Sequence, residues 1–323
     1  MRSFLLLPLL FAACASTEPN REPAVEEVDH DRKMAAEDAK RRDFRAVLVR
    51  LDQSIDSYVQ ALSNQGEYRA DETAERLYKM IHETVTDTRP MYVRAGQAAP
   101  PPGETFNRLQ AVATDGSNPN WQGIALAALG FSDRHEVMPT ILQGAQLSDP
   151  FVADRAVLGL AMLRAPATPP GVLAAIISNP THPEDGRGQA AWALYRVQTV
   201  STNGEAIAAI WRRLLTDDKD RLPAVVLVSC VRGLGIARNI ADGPLVATFL
   251  KHPTARVRMA AALALGRMKA GDQWEDLLAV LGPEETVQNV RLHARKALAE
   301  LAGGAYDGYD VTAWRKVFQR GGH

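Results

Sequence analysis

Little in this sequence points to chemistry. Its 323 residues include two cysteines, Cys14 and Cys230, which excludes a disulfide framework and a cysteine-built zinc site. Aromatic residues make up 6% of the chain, too few for a platform that stacks nucleic-acid bases. The formal net charge of −1 argues against a binder drawn to phosphates by bulk attraction, so no nucleic-acid partner is expected. No apolar run reaches the roughly 20 residues that a membrane-crossing helix needs. None alternates at period two for long enough to suggest a sheet. A G-x-S-x-G elbow and a Walker loop are both missing. The seven histidines stand singly, at 30, 82, 135, 182, 252, 293 and 323, and none pairs at a short metal-ligand spacing. With neither a catalytic nor a metal or cofactor set to assign, the expectation is a protein that is not an enzyme.

What the chain has instead is repetition. Six copies of one helical signature end on Leu129, Leu160, Leu194, Leu234, Leu265 and Leu298, so the anchors step by 31, 34, 40, 31 and 33 residues, the period of a stacked two-helix array. Four residues before the anchors stand Ala125, Ala156, Ala190, Cys230, Ala261 and Ala294; one residue before stand Ala128, Gly159, Ala193, Gly233, Ala264 and Ala297. Offsets of three and four share one helix face, so these small side chains form a stripe where a neighbouring backbone can come close. In this setting Cys230 reads as a small buried hydrophobe. Eight residues before the anchors, Trp121, Val152, Val226, Val257 and Val290 lengthen the buried face, with Gly186 the exception. Shorter amphipathic helices are expected between, near 134 to 146, 169 to 179, 203 to 216, 242 to 251 and 273 to 281, set off by turns such as Asp149-Pro150 and Gly282-Pro283.

On these residues, and on the stretch from Pro253 to Gly266 above all, the pattern resembles the HEAT family, in particular its bilin-lyase-like short repeats. The resemblance covers 104–323 and implies an all-α fold: an α-solenoid of about six HEAT-like helix pairs, preceded by a helical hairpin and closed by a C-terminal helix with Trp314 and Phe318. His135-Glu136 resembles the His-Glu pairs of HEAT-type di-iron hydroxylases, but those need several in matching repeats, and the other here, His82-Glu83, lies outside the array. Gly186-Arg187-Gly188-Gln189-Ala190-Ala191 fits G-x-G-x-x-A but follows a turn, not a strand. Asp307 and Asp310 fall short of a calcium shell.

Upstream of the array the chain divides into 1–14, 15–33, 34–96 and 97–103. Arg2 and the apolar run from Phe4 to Ala13 read as an export signal. Phe11-Ala12-Ala13-Cys14 resembles a bacterial lipobox with Phe11 in place of leucine, which implies lipidation at Cys14. Cleavage after Ala15 to give a soluble product and a cytosolic chain without export remain the rival readings. Residues 15–33, with Pro19, Pro23 and several glutamates, read as a disordered tether. In 34–96, the spacing of Phe44, Leu48, Leu51, Ile55, Tyr58 and Leu62, then of Ala74, Leu77, Tyr78, Ile81 and Val85, predicts two helices folded back on each other, as a cap, a spacer or an oligomerisation element. The segment 97–103 is a proline-rich linker.

One cluster is a candidate surface. Arg187, Arg258 and Arg291 stand seven residues before their anchors, with Arg155 at a neighbouring offset, on the helices that line the inner curve of such solenoids. In HEAT-type proteins an arginine here braces the stack with an acid six residues earlier, and only Arg291 keeps one, Glu285. The competing reading joins Arg155, Arg187, Arg258 and Arg291 with Trp192 and Arg232 into a basic strip for an acidic peptide or glycan. The function expected from all this is an exported, lipid-anchored scaffold that binds a protein or peptide in the cell envelope. A repeat-based modifying enzyme resembling bilin lyases and a purely structural envelope protein are the alternatives.

Overall fold

The computed structural model describes residues 25–63, 70–88 and 103–321. Among them the secondary structure is entirely helical. Cys14, the tether up to residue 24, the turn at 64–69 and the linker at 97–102 lie outside the described residues.

Helix α1 spans Val25–Ser63 and α2 Ala70–Val85. The tether expected over 15–33 is therefore corrected from Val25 onward: after Pro23 no proline or glycine interrupts the sequence as far as Ser63. The chain divides into two units, 1–46 and 47–323. In the first, α1 is almost wholly exposed and carries a Glu37–Lys40 pair at 3.2 Å. In the second, its remaining turns bury Leu48, Leu51, Ile55 and Tyr58, and α2 buries Ala74, Ile81 and Val85. Tyr58 and Tyr78 face each other with ring centroids 6.1 Å apart, which joins the two helices as a hairpin.

The array follows as six helix pairs: α3 (Glu104–Thr114) with α4 (Pro119–Leu129), α5 (Met138–Gly144) with α6 (Pro150–Leu163), α7 (Pro170–Ser178) with α8 (Glu184–Gln198), α9 (Gly204–Asp217) with α10 (Ala224–Ala237), α11 (Gly243–Ala247) with α12 (Ala255–Met268), and α13 (Trp274–Leu281) with α14 (Gln288–Leu301). The second helix of each pair packs on that of the next. Several begin as their sequence dictates: Pro119 and Pro150 occupy first turns, the Asn118 carboxamide accepts from Trp121 N at 3.1 Å, and Asp149 Oδ1 accepts from Phe151 N at 2.9 Å. All six anchor leucines and all six residues four before them have no exposure. A leucine withdrawn from water in this way contributes about 1.5–3 kcal/mol.

The long helices meet through small residues. A Cβ on Gly235 of α10 would lie 2.9 Å from Ala264 Cα of α12, and one on Gly266 would lie 3.0 Å from Ala297 Cα of α14. Gly130 and Gly159 bring α4 and α6 together even more tightly. One partner in each contact belongs to the column just before the anchor; the other lies one residue after it, a column the sequence reading did not single out.

Helix α15 (Val311–Gly321) closes the last layer. Asp310 Oδ1 caps it through Thr312 N at 2.7 Å, Trp314 is fully buried, and Phe318 stacks on Trp274 at 5.1 Å. Asp307 pairs instead with Arg295 at 2.8 Å, so the two aspartates serve different contacts. Cys230 is a free, fully buried thiol whose pKa burial pushes far up, which leaves it inert. No described helix is long and apolar enough to cross a membrane.

Candidate interaction surface

The arginines read from the sequence as one strip turn out to have separate tasks. Arg187, 6% exposed, donates from Nε to Ile177 O at 2.8 Å and so ties α8 to the end of α7. Arg291 does the same three layers later, through Nε to Leu281 O at 3.0 Å, and its guanidinium lies 5.6 Å from the Tyr309 ring. Arg258 forks onto Glu285, with Nε to Oε2 at 2.7 Å and Nη2 to Oε1 at 2.9 Å, while Nη1 donates to His252 O at 2.8 Å. Glu285 thus braces the arginine of the preceding layer and not Arg291, six residues downstream of it. Accepting from Arg258 holds its carboxyl below the ordinary Glu value. Arg258 is fully engaged by its bidentate acid and backbone carbonyls, while Arg187 and Arg291 each commit Nε to a carbonyl that ties their own helix pair together, so all three brace the array.

Arg155 is also occupied, and by the chain itself. Its Nη2 lies 2.9 Å from Asp52 Oδ1 and its Nη1 2.8 Å from Asp56 Oδ1, one turn further along α1. Burial raises the Asp52 pKa, the arginine acting against that rise. Next to this pair, Tyr58 sits 5.4 Å from the Phe131 ring, and Tyr78 donates its hydroxyl to Asp133 Oδ1 at 2.9 Å. His82 donates from Nδ1 to Phe131 O at 2.7 Å. The hairpin therefore lies against the first layers of the array. Its edge is Arg196, which bonds Tyr58; desolvation is the main cause of that guanidinium's lowered pKa.

Beyond Arg196 the same columns open. Two residues before the anchors, Ala127 and Leu158 are buried, Trp192 is half-buried, and Arg232 and Lys296 are exposed. Two residues after the anchors, Phe131 and Met162 are buried, and Arg196, Ile236 and Arg267 are half-buried. Arginine and aromatic side chains alternate along this stretch: Arg196 lies 5.2 Å from the Trp192 ring and Arg232 6.0 Å from the Tyr195 ring. Of the six residues named for the strip, Trp192 and Arg232 are the two that face this open surface.

The junction of α8 with α10 is built differently from the others. Gln198, 4% exposed, donates to Gly233 O at 3.0 Å and accepts from Trp211 Nε1 at 2.8 Å, so a buried amide spans the gap. Where other long helices place glycine or alanine after the anchor, α8 has Tyr195. An open cavity of ≈ 550 Å³ results, lined by Tyr195, Thr199, Gly235, Ile236, Arg238 and Arg267. Arg238 and Arg267 were not among the residues expected from the sequence. The signal that could have found Arg238 is its place four residues after an anchor, where the backbone turns left-handed: Arg164, Arg238 and Lys269 stand there at φ 48, 55 and 57. That conformation favours glycine, and of the four side chains that adopt it at this position, Asp133 at φ 57 among them, three are basic. Among the described residues, no group of three or more His, Cys, Asp or Glu side chains could hold a metal ion.

No family model matches the chain, and no curated protein is similar to it in sequence. Solved structures that share its fold include the complex of CpcE and CpcF of phycocyanin lyase from Nostoc sp., at 14% identity over 81% of this chain and 92% of that one, with a TM-score of 0.39. Human deoxyhypusine hydroxylase in complex with glycerol is similar at 16% identity, over 84% of this chain and 96% of that one, with a TM-score of 0.29. Kap121p bound to Nup53p matches at 15% identity over 80% of this chain but 38% of its own length, with a TM-score of 0.29. The fold itself rests on the chain's own six stacked helix pairs, an all-α solenoid of HEAT-like units. The expectation that it is not an enzyme is corrected by the comparisons. A lyase and a hydroxylase are among the similar structures, and an array of this build leaves activity undecided.

Proposed function

We propose that the chain is an exported, lipid-anchored HEAT-like repeat protein that binds a protein or peptide partner in the cell envelope, through the long-helix surface from α8 onward. The observation that carries the binding half is the change along one repeat column, from buried Ala127 and Leu158 under the hairpin to half-buried Trp192 and exposed Arg232 beyond it. Arginine and aromatic side chains that neighbour one another on an open surface are the composition of binding hot spots. Similar solved structures include one that holds CpcE with CpcF and one that holds Kap121p with Nup53p.

The anchor half rests on the apolar run from Phe4 to Ala13 followed by Cys14. Each acyl methylene buried in a bilayer adds about 0.8 kcal/mol, so several chains hold a protein firmly. Ala15 in place of an aspartate favours the outer membrane where there are two. Intact mass of the mature protein tests this: a chain that begins at acylated Cys14 is expected, and one that retains Met1 overturns it. For the partner, a photo-crosslinking side chain in place of Trp192 in living cells is expected to trap one adduct that disappears with Arg232→Glu. Adducts that are unchanged by Arg232→Glu would move the binding surface elsewhere.

A further inference from the structure

The cavity between α8, α10 and α12 has a chemical character that the array does not need for its own stability. Arg155, Arg212, Arg258 and Arg295 each hold a carboxylate. Arg238 and Arg267, which line the cavity, have no acid within 4.0 Å among the described residues. Arg238 is exposed and fixed at φ 55 at the end of α10, where glycine would sit without strain. Two layers earlier, Arg164 holds the corresponding left-handed position and donates from Nη2 to Thr199 Oγ1 at 3.0 Å, which steadies the hydroxyl at the cavity rim. Tyr195 and Ile236 supply apolar wall beside the two guanidiniums.

The chain shows what such a surface accepts. Helix α1 lays two carboxylates, Asp52 and Asp56, one turn apart on Arg155 and puts an aromatic side chain, Tyr58, beside Phe131 and Arg196. The column that starts with Phe131 and Met162 under the hairpin continues through Arg196 to Ile236 and Arg267 in the cavity. The cavity lies beyond Arg196, the last residue of that column that α1 reaches through Tyr58.

We infer that the cavity seats an acidic helical segment of a partner protein, with carboxylates one turn apart on Arg238 and Arg267 and an apolar or aromatic side chain against Tyr195 and Ile236. The inference rests on the partner-binding reading and names the partner's chemistry. A rival account gives the two arginines no task beyond offsetting the negative ends of α10 and α12. That account predicts lower stability on their removal and no effect on any ligand.

The test uses the full chain and an alanine-based helical peptide, fluorescein-labelled, with one tyrosine and glutamate pairs four residues apart. In fluorescence anisotropy it is expected to bind, to weaken as salt rises, and to lose about tenfold or more in affinity with the Arg238→Gln/Arg267→Gln pair. The same peptide with glutamine for glutamate is expected not to bind. Arg315→Gln, on the far helix α15, is the control for net charge and is expected to leave binding unchanged. A melting curve for each variant reads the stability effect separately. Equal binding by the double variant, equal binding of the glutamine peptide, or full displacement by millimolar inorganic phosphate would each overturn the inference, the last because a small anion would then suffice. If the peptide fails while the Trp192 crosslink persists, the cavity is not the acidic-helix site but the partner-binding reading stands; loss of both removes that reading too.

Discussion

The contacts of α10 with its two neighbours are made from one repeat and differ in kind. Toward α12, Gly235 presses on the backbone at Ala264, where an added Cβ would lie 2.9 Å from Cα. Toward α8, the Gln198 amide reaches from Trp211 to Gly233 O, and Tyr195 stands where its counterparts are glycine or alanine. The first junction gains from dense apolar packing and tolerates no added volume. The second is held by directional bonds, and the open cavity lies against it. The dense junction supplies Gly235 and Arg267 to the cavity wall and the polar junction supplies Tyr195 and Thr199, so the opening lies where the two kinds of contact meet.

The largest effect is expected from breaking the apolar junction. Ala264→Phe has no space against Gly235 and should lower the stability read from urea unfolding by about 3 kcal/mol or more, at the upper end of overpacking effects. Gln198→Leu attacks the polar junction; it strands the buried Trp211 indole N–H and removes the bond to Gly233 O, and should lower stability by about 2 kcal/mol with a change in Trp211 fluorescence. Glu285→Gln acts on a brace that both neighbouring layers share. Because Arg258 holds the Glu285 carboxyl below its ordinary value of 4.5, its contribution is present above that value and lost as pH falls through the lower folded one. The variant should be about 1 kcal/mol less stable at pH 7 and lose that deficit progressively under acid, read from melting curves across pH 3 to 7. Arg232→Ala, on the open surface, should change stability by less than about 0.5 kcal/mol while it weakens partner capture.

The apolar junctions were legible in the sequence because close approach demands small residues at fixed spacing: Ala128, Gly159, Ala193, Gly233, Ala264 and Ala297 declared the array before any coordinates did. The six helix pairs and the hairpin follow from that periodicity. The polar junction was not legible. Gln198 looks like any helix-end glutamine until the 40-residue step from Leu194 to Leu234 brings Trp211 beneath it. Partner choice among charges was equally hidden. Glu285 stands six residues before Arg291, the spacing of a familiar brace, yet three-dimensional stacking gives it to Arg258. Arg155 was read as open to a partner because nothing in sequence spacing says that Asp52 and Asp56, about a hundred residues earlier, fold onto it.

Exchanging the column between the two junctions tests the account most directly. Urea unfolding of Gly235→Tyr, which places on α10 the side chain that α8 carries, is predicted to show a loss of about 3 kcal/mol or more, while Tyr195→Ala loses under about 1 kcal/mol. Equal losses for the two variants, or an unchanged midpoint for Gly235→Tyr, would contradict the claim that α10 meets α12 backbone to backbone and meets α8 across a gap.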